Sequence, residues 1–426
     1  MSDLKSKIQE LDITVSVLGL GYVGLNIALA LAKKHIKVYG IDTNEMLINS
    51  LFDYNYKNNG SLKVSTRFNN ISKSDVIIIC VPTPLKNNIE PDLSFIENTV
   101  IQIKKYVRKN TLIILESTTY PGCTEELIQE KLLDINFVAG HDYFLCFSPE
   151  RIDPGNKKYH LQNTPKIVGG FTPKCSKLGE TFYQIICEKV KVVSSIQVAE
   201  FSKLLENTFR NINIAFINEM SIMCEELGIN IWESIDAANT KPFGFLPFYP
   251  SIGVGGHCIP LDPMYLQWKG KNYNCISEFI NLSHKLNNSM PWHIYKKIEN
   301  ILISNNKTIH NSKILIVGIT YKDNVPDTRE SPSLKLLEIL VKCGVSVDYF
   351  DPLIPSISLK QFGLFHSIIY DKSKIEEYDC VVLTTYQNVI NYKELSKIDT
   401  FILDTKNFLK DFKNQNIHIL GDGSHS

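Results

Sequence analysis

The sequence predicts an α/β fold in which two doubly wound domains are joined by a long central helix. Three observations predict it. Short, continuous apolar runs alternate with helical patterns at both ends of the chain, as buried parallel strands do. A glycine-rich turn, Gly19-Leu20-Gly21-Tyr22-Val23-Gly24, stands between the first run and the first helix. Residues 197–228 then carry one long helical pattern that closes on Gly228, a C-cap residue. The glycine turn makes the first domain Rossmann-like, and the second repeats its architecture without a recognisable sequence repeat. The boundaries expected are 1–196, 197–305 and 306–426.

In chain order, ITVSVL at 13–18 is the first strand, followed by the glycine turn and a small-residue helix at 25–34. Strands are expected at 37–42, 75–81 (DVIIICV), 111–117 (TLIILES) and 144–149 (FLCFSP). After the long helix come helices at 231–238 and 275–304. Between them lies a Gly/Pro-rich loop, 241–263, too irregular for an element and too apolar for a linker. Such loops are usually functional or tightly packed. The second α/β pattern runs as strand 313–319, helix 333–344, then strands 345–351, 379–385 and 400–405.

Composition narrows the function. The chain has 426 residues, 44% hydrophobic and 21% charged, so it can bury a real core and is neither disordered nor collagenous. Its 45 basic residues match 45 acidic ones, which gives nucleic acid or a membrane surface no global attraction. MSDLKSKIQELD is too polar for a signal peptide and no run of about 18 apolar residues occurs. A cytoplasmic location with reduced thiols is therefore expected. The ten cysteines form no CxxC pair, so neither a metal site nor a redox pair is expected.

Three motifs carry chemistry. The glycine turn has full dinucleotide context: Gly19, Gly21 and Gly24 allow a tight turn, a close approach to a pyrophosphate and close packing. The helix that follows offers free N–H groups. Asp42 ends the second strand, where an acid accepts a ribose 2′-OH and repels a 2′-phosphate, favouring NAD over NADP. Cys258 is the second, set in Gly253-Val254-Gly255-Gly256-His257-Cys258 with Asp262 four residues on. It is either a nucleophile or a small buried hydrophobe. The other nine cysteines read as buried hydrophobes, and His257 as a packing residue. The third is a helix face. Lys203, Asn207, Arg210, Asn211 and Ile214 share it, either as a solvated stripe or with Lys203 and Asn207 as donors to an oxyanion. Loops 116–122, 148–155 and 321–331 follow strands where ligands bind. Glu150 is a general base or a surface acid, and Lys322 and Arg329 meet phosphates or solvent.

Taken together, GLGYVG, CVPTP (80–84), ESTTYPG, SPERIDPG, KLLENTFRNINIAFINE (203–219), GVGGHCIPLDP and YKDNVPDTRESPS resemble the UDP-glucose/GDP-mannose dehydrogenase family, in order and from about 13 to past 405. INE, KPFGFLPFYP and GVGGHCIPLDP resemble its UDP-N-acetylhexosamine-oxidising branch. The resemblance implies an NAD-binding first domain, a central helical part that builds a homodimer, and a UDP-sugar-binding third domain. It implies four-electron oxidation at C6, with UDP-N-acetyl-D-glucosamine the leading substrate and its galacto and manno epimers and UDP-glucose behind.

By the same resemblance, Cys258 is the nucleophile, with Lys203, Asn207 and Asp262 as its polar partners. Thr118 and Glu150 hold water near the reacting carbon. Glu150, Arg151, Ile152, Lys203, Asn207, Arg210, Gly255 and Lys322 contact the nucleotide sugar. Gly19, Gly21, Tyr22, Val23, Gly24, Asp42, Thr83, Thr118 and Arg329 contact NAD. Two departures argue against UDP-glucose: no arginine stands near Lys241-Pro242, and Pro154 replaces a second acid. Two other classes compete. A two-electron 3-hydroxy-acid dehydrogenase leaves Cys258 and the second α/β domain unexplained. A non-catalytic NAD-binding protein leaves Lys203, Asn207 and Cys258 unexplained.

Overall fold

A computed structural model of the chain describes residues 2–57, 61–86, 90–412 and 414–424. It forms two compact units. One holds Met1–Glu206 with Met264–Ile276, the other Asn207–Pro263 with Ser277–Ser426. The expected middle part, 197–305, is thus shared out between the two.

In the first unit, strands β1 (Thr14–Leu18), β2 (Lys37–Ile41), β3 (Leu62–Ser65), β4 (Val76–Ile79), β5 (Thr111–Leu115), β6 (Tyr143–Phe147), β7 (Lys166–Gly170) and β8 (Val190–Val193) make one sheet. Its order is β8-β7-β6-β5-β4-β1-β2-β3. Every pairing is parallel except β6 with β7, where Phe147 faces Gly169. Successive side chains alternate between two cores. Val76, Ile78, Leu112 and Ile114 join one cluster, while Ile77, Ile79, Ile113 and Leu115 join the other. Burial on both faces is why these strands read as unbroken apolar runs.

The sequence reading did not include β3, β7 and β8. In β7 the apolar run is cut short by Gly169 and Gly170. A Cβ there would meet Ser195 O at 2.3 Å and Ser176 N at 2.2 Å, so close packing rather than side-chain hydrophobicity fixes this strand.

Helix α1 (Tyr22–Ala32) follows the glycine turn, and α2 (Pro173–Tyr183) follows β7. Helix α3 (Ile196–Leu227) has 32 residues. Gly228 (φ +68°) ends it, with Ile229 N–H donating to Cys224 O at 2.9 Å, a Schellman closure. Helix α4 (Ile231–Asn239) comes next. Helix α5 (Asp262–Lys271) replaces the end of the expected loop and extends beyond it. Helix α6 runs from Glu278 to Ser304, not from 275, because Ser277 caps it by accepting from Ile280 N–H.

The second unit has a parallel sheet of β9 (Lys313–Val317), β10 (Ser346–Phe350), β11 (Cys380–Leu383), β12 (Phe401–Asp404) and β13 (Ile417–Ile419), in the order β10-β9-β11-β12-β13. Helix α7 (Pro332–Lys342) and α6 pack on one of its faces around Leu336, Leu340, Ile294 and Ile298. Strand β13 was not in the sequence reading, being three residues of half-buried Ile-His-Ile. No helix among the described residues is long and apolar enough to cross a membrane.

Candidate functional site

In the first unit the strand order reverses between β1 and β4, and the glycine turn lies at that point, where open α/β sheets bind ligands. Gly19 has φ +91°, and a Cβ there would lie 2.6 Å from Cys80 O. Gly24 is equally closed, 1.9 Å from Gly19 O, whereas a Cβ on Gly21 would meet nothing within 4 Å. The outer glycines serve packing and the middle one leaves the approach open. Helix α1 has no side-chain cap at Gly21, so its first N–H groups remain available to an anion. Asp42 accepts from Leu20 N–H at 2.8 Å and Asn44 N–H at 2.9 Å. It therefore ties the turn to the end of β2, and its carboxylate retains further lone pairs.

Thr83 is buried after β4, its carbonyl accepting from Tyr265 OH. Thr118 follows β5 in a loop fastened at both ends. Ser117 donates to Val81 O at 2.7 Å. Glu200 of α3 accepts from Gly122 N–H (2.6 Å), Thr124 N–H (2.9 Å) and Thr124 Oγ1 (2.6 Å). Burial pushes Glu200 up to about 7 despite these bonds.

The 148–155 loop faces the glycine turn, since burial and then Glu150 and Asp153 raise the Tyr22 phenol. Tyr22 itself is exposed and Val23 half-buried. Glu150 Oε1 accepts from Arg151 N–H at 2.7 Å and Ile152 N–H at 2.5 Å. Its Oε2 is buried with no partner among the described residues. Arg151 spans Glu206 (2.6 and 3.3 Å) and Pro165 O (2.7 Å), so the protein itself holds that guanidinium. Lys203, one helical turn before Asn207 on α3, is buried and forms no ion pair with a described residue.

In the second unit, Cys258 is exposed on its glycine loop. The loop is irregular but fastened. Asn207 donates to Asp262 Oδ2 at 2.5 Å, and Asn211 donates to Ile259 O at 3.0 Å. Asp262 and Leu261 N–H both donate to Cys258 O. Further along α3, Asn218 accepts from Ser251 N–H and donates to Asn287, which donates to Asn211 O. The stripe read from the sequence is thus the loop's anchor. It continues to Asn218, one heptad past Asn211 and part of the INE motif but given no role there, and to Asn287 on α6, which was not singled out. Arg210 is exposed.

Gly255 and Gly256 lie against the 321–330 loop. A Cβ on Gly255 would stand 2.7 Å from Tyr321 Cβ and 2.9 Å from Glu330 O. Arg329 belongs to this unit, chelates Asp327 (2.6–3.0 Å) and lies within electrostatic reach of Cys258. His257 is held below the ordinary histidine value by burial and then by Arg329. The cysteine expectation needs correction: Cys275 is exposed, in the turn before α6, and Cys80, Cys224 and Cys343 are only half-buried.

A cavity of about 110 Å³ opens at the carboxyl ends of β9 and β11, the switch point of the second sheet. Gly253, Tyr321, Lys322, Ser333, Thr384 and Lys406 line it. Ser333 Oγ is buried and unpartnered among the described residues, at the N-terminus of α7. Burial pulls the Lys406 ammonium down, against Asp323 and Asp404. Cations, a helix N-terminus and a waiting hydroxyl suit a phosphorylated ligand. Of these residues the sequence motifs included Gly253, Tyr321, Lys322 and Ser333, while Thr384 was read only as part of a strand and Lys406 was not named. Thr384 and Lys406 sit where their strands end, which is the available signal.

Residues 13–187 match the NAD binding domain of the UDP-glucose/GDP-mannose dehydrogenase family, 197–289 its central domain and 315–414 its UDP binding domain. The chain belongs to this family. Its cofactor is accordingly NAD, and the open Gly21, uncapped α1 and Asp42 fit a dinucleotide. A UDP-N-acetyl-D-mannosamine dehydrogenase of Methanocaldococcus jannaschii is 34% identical over 97% of each chain. A UDP-N-acetyl-D-glucosamine 6-dehydrogenase of Pseudomonas aeruginosa is 32% identical over 94% of this chain and 98% of that one. Among solved structures, a UDP-D-ManNAc dehydrogenase from Pyrococcus horikoshii aligns with TM-score 0.87 and 30% identity, over 96% of this chain and 100% of that one. The chain is a nucleotide-sugar dehydrogenase.

Proposed function

We propose that this enzyme oxidises the C6 hydroxyl of UDP-N-acetyl-D-glucosamine to the carboxylate through an aldehyde and a thioester on Cys258. The observation that carries the reading is an exposed thiol on a glycine loop that Asn207, Asn211 and Asp262 hold in place. A hexosamine is favoured over glucose because the 241–263 loop resembles the hexosamine branch and lacks an arginine near Lys241. UDP-N-acetyl-D-mannosamine is the second reading, favoured by relatives of that name at similar identity. UDP-GalNAc and UDP-glucose follow.

NAD, when bound, accepts a hydride from C6 in each of the two oxidations. The chain does the rest. The Cys258 thiolate adds to the aldehyde carbon and keeps that reactive intermediate attached. After the second oxidation the resulting thioester is cleaved by water, releasing the carboxylate and restoring the thiol. Lys203 and Asn207 donate to the C6 oxygen as it gains negative charge. Asp262 orients the Asn207 amide through their 2.5 Å bond. Glu150, with one oxygen fixed by two backbone N–H groups and the other unpartnered, draws the proton from that water, and Thr118 helps hold it. The nucleotide occupies the cavity of Lys322, Ser333 and Lys406. The remaining contacts named from the sequence, with Arg151, Ile152, Arg210, Gly255 and Arg329, belong to the same reading. So do a homodimer built on α3, a cytoplasmic location and a product destined for surface polysaccharide such as capsule or lipopolysaccharide.

The test is total NADH per limiting sugar nucleotide. Two NADH per UDP-N-acetyl-D-glucosamine are expected, and at most one from Cys258→Ser. Two NADH from another epimer instead would correct the sugar. A serine variant that still yields two would overturn the covalent scheme.

A further inference from the structure

The parallel sheet of the first unit turns antiparallel once, at β7, and that reversal has a chemical result. Because β7 runs against β6, its first residue lies at the edge where β5 and β6 end. That residue is Lys166, only 3% exposed. Its ammonium donates to Glu116 Oε2 at 2.6 Å and to Pro149 O at 3.0 Å. Glu116 is 1% exposed and follows β5 directly. Tyr183, at the end of α2 and fully buried, donates to its other oxygen. A lysine is almost never buried this deeply without a task or a partner. Here the partner fixes the cation's position, and the remaining contact is with the turn that carries Glu150.

We propose that Lys166, oriented by Glu116 and Tyr183, is a positioning residue whose ammonium holds the Pro149–Glu150 turn and so aims the Glu150 carboxylate. The inference rests on the reading of Glu150 as the group that draws a proton from water. The charged and titratable groups facing Glu150 come from several elements. They are Tyr22 after the glycine turn, Cys80 after β4, Glu116 after β5, Lys166 on β7 and Cys187 beyond α2, with Arg151 beside it in the loop. The neighbours other than Lys166 and Arg151 are neutral or acidic in kind, and the Arg151 guanidinium is turned to Glu206. Burial raises Glu116 to about 7, with Lys166 opposing it. Remove the lysine and Glu116 takes up a proton, so the charges of this neutral pair vanish together and what the turn loses is the hydrogen bond to Pro149 O.

The experiment follows hydrolysis itself. Enzyme is loaded with UDP-N-acetyl-D-glucosamine and NAD, both are removed rapidly, and decay of the Cys258 adduct is followed by intact mass at several pH values. For Lys166→Met the decay rate is expected to fall about tenfold while the amount of adduct formed stays as in the wild type, because the turn that aims Glu150 loses the bond from the ammonium to Pro149 O. Glu116→Gln keeps the ammonium that donates to Pro149 O and is expected to leave that rate near the wild-type value. If both variants slow alike, or the methionine variant does not slow, the proposal is overturned. Should Lys166→Met fail to fold, the double variant Lys166→Met/Glu116→Gln, which leaves no buried charge in the cluster, must show the same slowing. A wild type that makes the uronate without any adduct on Cys258 overturns the thioester reading instead, and this inference with it. Normal adduct decay in the wild type, with variants that do not slow, overturns this inference alone.

Discussion

Glu225 near the end of α3 shows how one carboxylate can be used for stability rather than chemistry. Burial opposes its charge, yet His293 at 3.3 Å, Lys297 at 2.8 Å and the Gly421 amide at 2.7 Å bring it down to about 2. The unfolded chain holds this proton with an ordinary pKa of about 4.3. The ionised group therefore stabilises the fold fully above about pH 5, and that contribution disappears as pH falls toward 2. Glu225→Gln should cost about 1–3 kcal/mol at pH 7, with the difference from wild type shrinking at pH 3, as read by urea midpoints. Nothing in the sequence singles out Glu225, because its partners come from α6 and the C-terminal segment, far along the chain. Cys258 was legible as a candidate for the opposite reason: its glycines and Asp262 are its sequence neighbours. Glu116 and Lys166 lay between these cases. Each stands at a strand end, but the reversal of β7 that joins them depends on two glycines that mask the strand.

At the scale of elements, the glycine loop before Cys258 is the part with least freedom to vary. Gly255→Ala would drive a methyl group to 2.7 Å from Tyr321 Cβ and 2.9 Å from Glu330 O, and backbone does not yield as a flexible side chain would. A loss of about 1–3 kcal/mol is expected, read as a lower melting temperature. The same addition at Gly244, which meets nothing within 4 Å, carries no such clash although its φ of +75° strains any other residue. The long buried strands and α3 were legible because their periodicity is strong. Helix α5 was not, since its Asp262-Pro263 start resembles the end of a loop and its apolar positions have no clear face.

Across the whole molecule, α3 leaves Leu205, Phe209, Phe216, Met223 and Leu227 between 46% and 62% exposed. On the proposed reading a second copy of the chain covers them. Phe216→Glu should then halve the mass seen by light scattering, while a wild type already monomeric would refute the dimer. The doubly wound architecture was legible at both ends of the sequence, but the sharing of the central residues between two units was not. That division arises from long-range packing that local pattern does not encode.

The switch point occurs twice, once in each sheet, and the residues that line the cavity at the second all belong to the second unit. Sequence drift around the second crevice can therefore retune which nucleotide ligand is held while leaving the residues of the glycine turn untouched.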